Sequence, residues 1–114
     1  MHELSIASSI IDSLKAKFQD ERLQITEINL QVGKLTCLLP ESLQFCFDSL
    51  RQDKLVKNAT LKIETINGTG FCQECNEKYP MEALYTVCPK CQTPGMEIVQ
   101  GNELKIKSVE VEDV

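Results

Sequence analysis

Residues 71–92 read FCQECNEKYPMEALYTVCPKCQ, in which Cys72-Gln-Glu-Cys75 is followed, after twelve residues, by Cys88-Pro-Lys-Cys91. A two-residue gap lets neighbouring thiolates turn onto one ion, and four sulfurs so arranged form the tetrahedral cage that zinc accepts readily. With every position taken by protein sulfur, none is left for water or substrate. The spacing therefore favours a closed structural zinc site over a catalytic one. A disulfide framework is the weaker alternative, because reducing conditions in the cytoplasm keep thiols free.

Outward from the cysteines, Thr60-Leu-Lys-Ile-Glu64 alternates with Leu61 and Ile63 on one side, and Glu27-Ile-Asn-Leu-Gln-Val32 does the same with Ile28, Leu30 and Val32. Period-two alternation predicts strands with one buried face. Gly33 ends the first of them, Gly68-Thr-Gly70 leads into the cysteine module, and Thr93-Pro-Gly95 makes a turn after it. Beyond the module, Leu104-Lys-Ile-Lys107 resumes the alternation, slips by one residue at Ser108 and continues as Val109-Glu-Val-Glu112, which predicts a bulge or the end of the strand. This last strand needs partners, and only the strands before the cysteines can supply them. The module is thus expected as an insertion between two strands of one sheet.

Two helices accompany the strands. Leu4, Ala7, Ile10, Ile11, Leu14 and Phe18 recur at helical spacing, predicting an amphipathic helix from Leu4 to about Gln19. Pro40 suits a first helical turn, where its missing N–H would be unpaired anyway, and Leu43, Cys46, Phe47 and Leu50 form the buried stripe that follows. Residues 34–39 read as a loop and 53–58 as a polar connection. The predicted fold class is α+β: a small three-stranded sheet covered on one face by two helices, with an inserted zinc-ribbon-like module held by four cysteines. The expected domains are residues 1–69 with 97–114, and the zinc-binding residues 70–96.

A chain of 114 residues has room for one modest domain and a small metal-held module. Its formal charge of -5, with no lysine-rich run, argues against nucleic acid as a partner, since phosphate recognition needs a basic patch. No apolar stretch is long enough to cross a bilayer and no basic start marks an export signal, so no membrane partner is expected and the location is expected to be cytoplasmic. Cys46 reads as a buried inert thiol on its helix, while Cys37 sits in a loop with no assigned role.

Enzyme machinery is missing from the pattern, and no catalytic residue is assigned. There is no glycine-rich phosphate loop and no nucleophile elbow, and Glu64, Glu82 and Glu97 read as solvated faces. The single histidine is His2. With Met1 kept, the terminal amine, the ionised His2 amide and the imidazole can close successive chelate rings. Such a nitrogen-rich, nearly planar set favours Ni(II) or Cu(II) over zinc, with Glu3 able to add an amide nitrogen or a carboxylate. Taken alone, a histidine at position two is most often a frayed terminal residue.

The combination says more. Met1-His2-Glu3-Leu4-Ser5 opening a helix, Val32-Gly33-Lys34-Leu35, Pro40-Glu-Ser-Leu43 and the two cysteine pairs resemble the HypA/HybF family across the whole chain. The resemblance implies a non-enzymatic nickel metallochaperone for NiFe-hydrogenase maturation. It carries nickel onto His2, supported by Met1 through its terminal amine and by Glu3, and zinc onto Cys72, Cys75, Cys88 and Cys91. It also implies a HypB-type GTPase and the hydrogenase large-subunit precursor as partners, with urease accessory proteins in some organisms, and a monomer or homodimer. Two departures stand out. No histidine flanks the cysteine pairs, so the site is expected to stay all-sulfur, and Lys34 stands where the family often has glutamate. The alternative reading is a zinc-ribbon protein-interaction adaptor without a nickel role.

Overall fold

The computed structural model describes residues 3–20 and 22–113. Helix α1 spans Glu3–Lys17, strand β1 Leu23–Gly33, helix α2 Pro40–Ser49, strand β2 Thr60–Ile66, strands β3, β4 and β5 Gly68–Cys72, Glu77–Met81 and Glu97–Gln100, and strand β6 Leu104–Asp113. Two sheets of three strands form, one in the order β2-β1-β6 and the other β4-β3-β5. The last strand does return to the strands before the cysteines, and the second sheet is built from the segment between them.

The chain falls into two compact units: residues up to Leu30 with Leu38–Ile63 and Ile106 onward, and Gln31–Cys37 with Glu64–Lys105. In the first, α1 packs against α2. Ala7, Ile10, Ile11 and Leu14 of α1 and Leu43 and Phe47 of α2 are buried, as are Ile25, Ile28 and Leu30 of β1 and Leu61 of β2. Glu3 in the first turn of α1 and Lys15 and Lys17 in its last complement the helix dipole. Pro40 occupies the start of α2, as its missing N–H predicts. The opposite side of the sheet is polar: Lys62 Nζ lies 2.6 Å from Glu27 Oε1, Asn29 Nδ2 donates to Ser108 Oγ at 3.0 Å, and Thr26 Oγ1 donates to the Glu110 carbonyl at 3.2 Å.

Several boundaries differ from the sequence expectation, each for a physical reason. Strand β1 starts at Leu23, four residues before the predicted Glu27, because Thr26 and Glu27 both face outward and the inward parity changes between Ile25 and Ile28. Periodicity breaks at such an irregularity even though pairing continues. Strand β6 likewise runs on through the slip at Ser108. The connection at 53–58 is not simply polar: Leu55 and Val56 are buried, and the Leu55 carbonyl accepts from Ile25 N–H at 2.9 Å. Leu4, on the apolar stripe of the expected helix, is 53% exposed, since periodicity fixes the direction of a side chain and not whether anything lies there. Cys46 is only half-buried. The loop at 34–39 contains a short 3-10 helix, Lys34–Thr36, and buries Leu35 and Leu38.

Gly68-Thr-Gly70, expected as a lead-in, is itself part of β3. A Cβ on Gly68 would run into the Met81 carbonyl oxygen and one on Gly70 into the Met81 side chain, so small residues let β3 and β4 approach closely here. Gly33 meets a similar limit at the backbone of Gly101, whose own φ of +107 suits glycine.

Phe47 and Phe45 are two residues apart on α2 but only Phe47 is buried, at 0% against 74% exposed. Phe47→Ala is expected to cost roughly 3–5 kcal/mol, whereas Phe45→Ala should stay within about 0.5 kcal/mol of the parent. Urea denaturation of both variants checks the difference.

Candidate metal centre

The sulfurs of Cys72, Cys75, Cys88 and Cys91 converge in the second unit, all within 4.8 Å of one another. Cys72 closes β3, whose register places it opposite Glu77 of β4. Each Cys-x2-Cys pair makes the same backbone turn. Asn76 N–H donates to the Cys72 carbonyl at 2.7 Å and Gln92 N–H to the Cys88 carbonyl at 2.8 Å, so the residue after each second cysteine closes its own loop. Both residues are left-handed, Asn76 at φ 57 and Gln92 at φ 60. Asparagine tolerates that region well, so Asn76 is a signal that could have marked the turn, while Gln92 offers none.

Across the two loops, Cys72 Sγ lies 3.6 Å from Cys91 Sγ and Cys75 Sγ lies 3.8 Å from Cys88 Sγ. A tetrahedron with zinc–sulfur bonds of about 2.3 Å has sulfur–sulfur edges of about 3.8 Å. The spacing therefore fits an ion of zinc's size, and the soft, all-thiolate donor set fits zinc's chemistry. Cys72 and Cys88 are buried, at 2% and 0% exposed, while Cys91 is exposed.

Around the sulfurs, Leu35, Met81 and Met96 are buried with Cys72 and Cys88, and Tyr79 and Ile98 pack against them. Leu35 reaches this cluster from the 3-10 helix, far from the cysteines in sequence, and no local pattern announced it. The Tyr79 hydroxyl donates to Glu77 Oε2 at 2.8 Å, and that carboxylate holds the phenol well above its ordinary range, so it is a fixed donor at any physiological pH. No sequence signal singled out Thr93 beyond its turn, yet its Oγ1 lies 3.1 Å from Cys91 Sγ. That hydroxyl, and then the Thr93 backbone N–H, donate to the thiolate and bring the Cys91 thiol down to about 6. Cys75 moves the other way, pushed up to about 12 first by its hydrogen bond with Cys91 and then by burial. Metal binding at such a site displaces the protons of whichever thiols still carry them.

Of the residues expected to carry nickel, Met1 and His2 lie outside the described residues. Glu3 is half-buried and opens α1. Among the described residues, the cysteine cluster is the one group of His, Cys, Asp and Glu side chains close enough to hold a metal ion.

A family model described as "Hydrogenase/urease nickel incorporation, metallochaperone, hypA" matches residues 1–111. The chain belongs to the HypA family. The "Hydrogenase maturation factor HypA" of Pelodictyon phaeoclathratiforme is 41% identical over 114 residues, covering 99% of this chain and 97% of that protein. That of Trichodesmium erythraeum is 38% identical and covers 100% of this chain and 98% of its own. Among solved structures, the solution structure of the nickel metallochaperone HypA from Helicobacter pylori matches with a TM-score of 0.68 at 29% identity, over 96% of this chain and 97% of that one. The chain therefore spans nearly the whole length of its relatives, both units included.

Removal of one buried ligand tests the centre. Cys88→Ser is expected to abolish zinc retention and to unfold the second unit, because structural zinc contributes on the order of 10 kcal/mol to such sites. Metal analysis and amide exchange should show residues 64–105 losing protection while Ile28 and Leu30 in the first unit keep theirs.

Proposed function

We propose that this family member is a nickel carrier for NiFe-hydrogenase maturation and not an enzyme. It takes up one Ni(II) at its N-terminus through His2, with the Met1 amine and Glu3 as supporting ligands. The observation that carries this reading is the match of a nickel-incorporation family model from residue 1, on a chain whose single histidine is His2. The fold supports the division of labour. All four clustered cysteines are committed to one another, so a zinc held there is closed and has no position to lend to a travelling ion. Bound zinc would supply a cross-link between the two cysteine loops and no chemistry on a substrate.

The terminus suits the other task. Helix α1 begins at Glu3, and the first N–H groups of a helix have no intrahelical partner, so backbone nitrogens there are open to a ligand role. Imidazole, amine and amide nitrogens form the field that Ni(II) prefers and zinc does not need. A site made of one side chain and the chain end also releases its ion readily to an acceptor. We take that acceptor to be the hydrogenase large-subunit precursor, with a HypB-type GTPase as the delivery partner and urease maturation as a second client, all in the cytoplasm. Residues 70–96 act as the zinc-binding domain and residues 1–69 with 97–114 as the nickel-binding one.

Calorimetry on untagged protein tests the reading. Wild type is expected to bind one nickel ion. His2→Ala should weaken that binding by more than the roughly tenfold typical of losing an outer-shell partner, with zinc content and melting temperature unchanged. Equal nickel affinity in both proteins would leave the zinc-ribbon adaptor as the better description.

A further inference from the structure

The four sulfurs of the cysteine cluster are not equally shielded. Cys88 and Cys72 are buried and Cys75 is half-buried, so Cys91 alone among them is exposed. A cleft of about 180 Å³ opens beside the cluster, between residues 72–74 of the first cysteine loop and residues 93–96 beyond the second. Its mouth is clear, since a Cβ on Gly95 would meet nothing within 4 Å. Two residues of its walls flank Cys91, whose Sγ lies 3.6 Å from Cys72 Sγ and 3.1 Å from Thr93 Oγ1. We propose that this is an oxidant-responsive site, at which a small peroxide is reduced by Cys91, Cys72 completes a disulfide with it across the two loops, and the zinc held there is released.

Four protein ligands leave no room for a fifth on the metal, yet they do not stop an exposed sulfur from attacking a molecule outside the cage. Hydrogen peroxide supplies the oxidising equivalents. The Cys91 thiolate attacks one peroxide oxygen: an S–O bond forms, the O–O bond breaks, and the departing hydroxide takes a proton and leaves as water. The Cys72 thiolate then attacks the sulfenic sulfur, so that the S–S bond forms, the S–O bond breaks and the second hydroxide leaves as water with another proton. Two thiolates, one peroxide and two protons thus give one disulfide and two waters. Cys75 and Cys88, 3.8 Å apart, are then the only thiolate ligands left, and two cannot complete a tetrahedral cage. The new bond joins the same two loops that zinc joined, so the second unit keeps one tether.

Thr93 is placed to set the rate. Its carbonyl accepts from Cys88 N–H at 3.1 Å, which fixes the residue across the second loop, and its hydroxyl points at the Cys91 sulfur. A hydrogen bond to a bound thiolate draws electron density from the sulfur and slows its attack, as outer-shell partners tune other metal ligands. The proposal rests on the zinc assignment and is independent of where nickel binds.

The test uses full-length, untagged, zinc-loaded protein freed of reductant, with Cys37→Ser and Cys46→Ser so that the clustered thiols are the only ones present. Zinc content is measured first. Hydrogen peroxide is then added, with zinc release followed by a chromogenic indicator and disulfides mapped by peptide mass spectrometry. One zinc should be released per peroxide consumed, Cys72–Cys91 should be the first disulfide, and dimedone present during the reaction should label Cys91. Dithiothreitol with added zinc should restore the bound metal. Thr93→Val, which removes the hydroxyl and keeps the branched shape, should release zinc several-fold faster. Zinc retained in a large excess of peroxide, a first disulfide within one loop, dimedone on another cysteine, or Thr93→Val no faster than its parent would each overturn the proposal. Protein that carries no zinc before peroxide is added would overturn the metal assignment along with it, which separates the two failures.

Discussion

Four cysteine sulfurs lie within 4.8 Å of one another, and a cation held among them as thiolates would turn their mutual repulsion into a cross-link between two loops. The second unit would depend on it. Its apolar interior is small, resting on Leu35, Met81 and Met96 beside the buried cysteines, and strands of 4 and 5 residues cannot hold a sheet together alone. Chain geometry prepares the site for the ion. The twin loops closed at Asn76 and Gln92 set the sulfurs at tetrahedral spacing, and the Thr93 hydroxyl lies beside one of them.

The closed centre also limits what kind of chemistry remains for the rest of the molecule. A travelling ion needs ligands that can be given up, and four mutually committed thiolates cannot be. Nitrogen donors at the chain end can. The HypA-family match places the chain among nickel-incorporation metallochaperones, and His2 is proposed to carry the ion because it is the single histidine. The first unit supplies a helix that starts at the third residue, next in sequence to those donors.

Much of the fold was readable because burial leaves a period. Ile28, Leu30 and Val32 alternate and are buried, and Ala7, Ile10, Ile11 and Leu14 recur at helical spacing and are buried. Legibility failed where the period changed within an element. Thr26 with Glu27, and Ser108, reset the inward face of strands that stay paired, so β1 looked shorter and β6 looked broken. It failed again where an element was too short to show a period, as in the 3-10 helix that buries Leu35. The glycines of β3 looked like a linker because the residue that excludes a side chain there, Met81, is distant in sequence.

The sequence by itself determined the four-cysteine set, the HypA-family likeness and the two periodic classes of element, because cysteine spacing and hydrophobic periodicity are local properties. Only the tertiary structure decided which apolar residues reach an interior, which strands lie at an edge, and that Leu35 and Thr93 serve the sulfur cluster. Those outcomes rest on contacts between segments tens of residues apart, or on the particular path of a turn, and neither leaves a trace in local pattern.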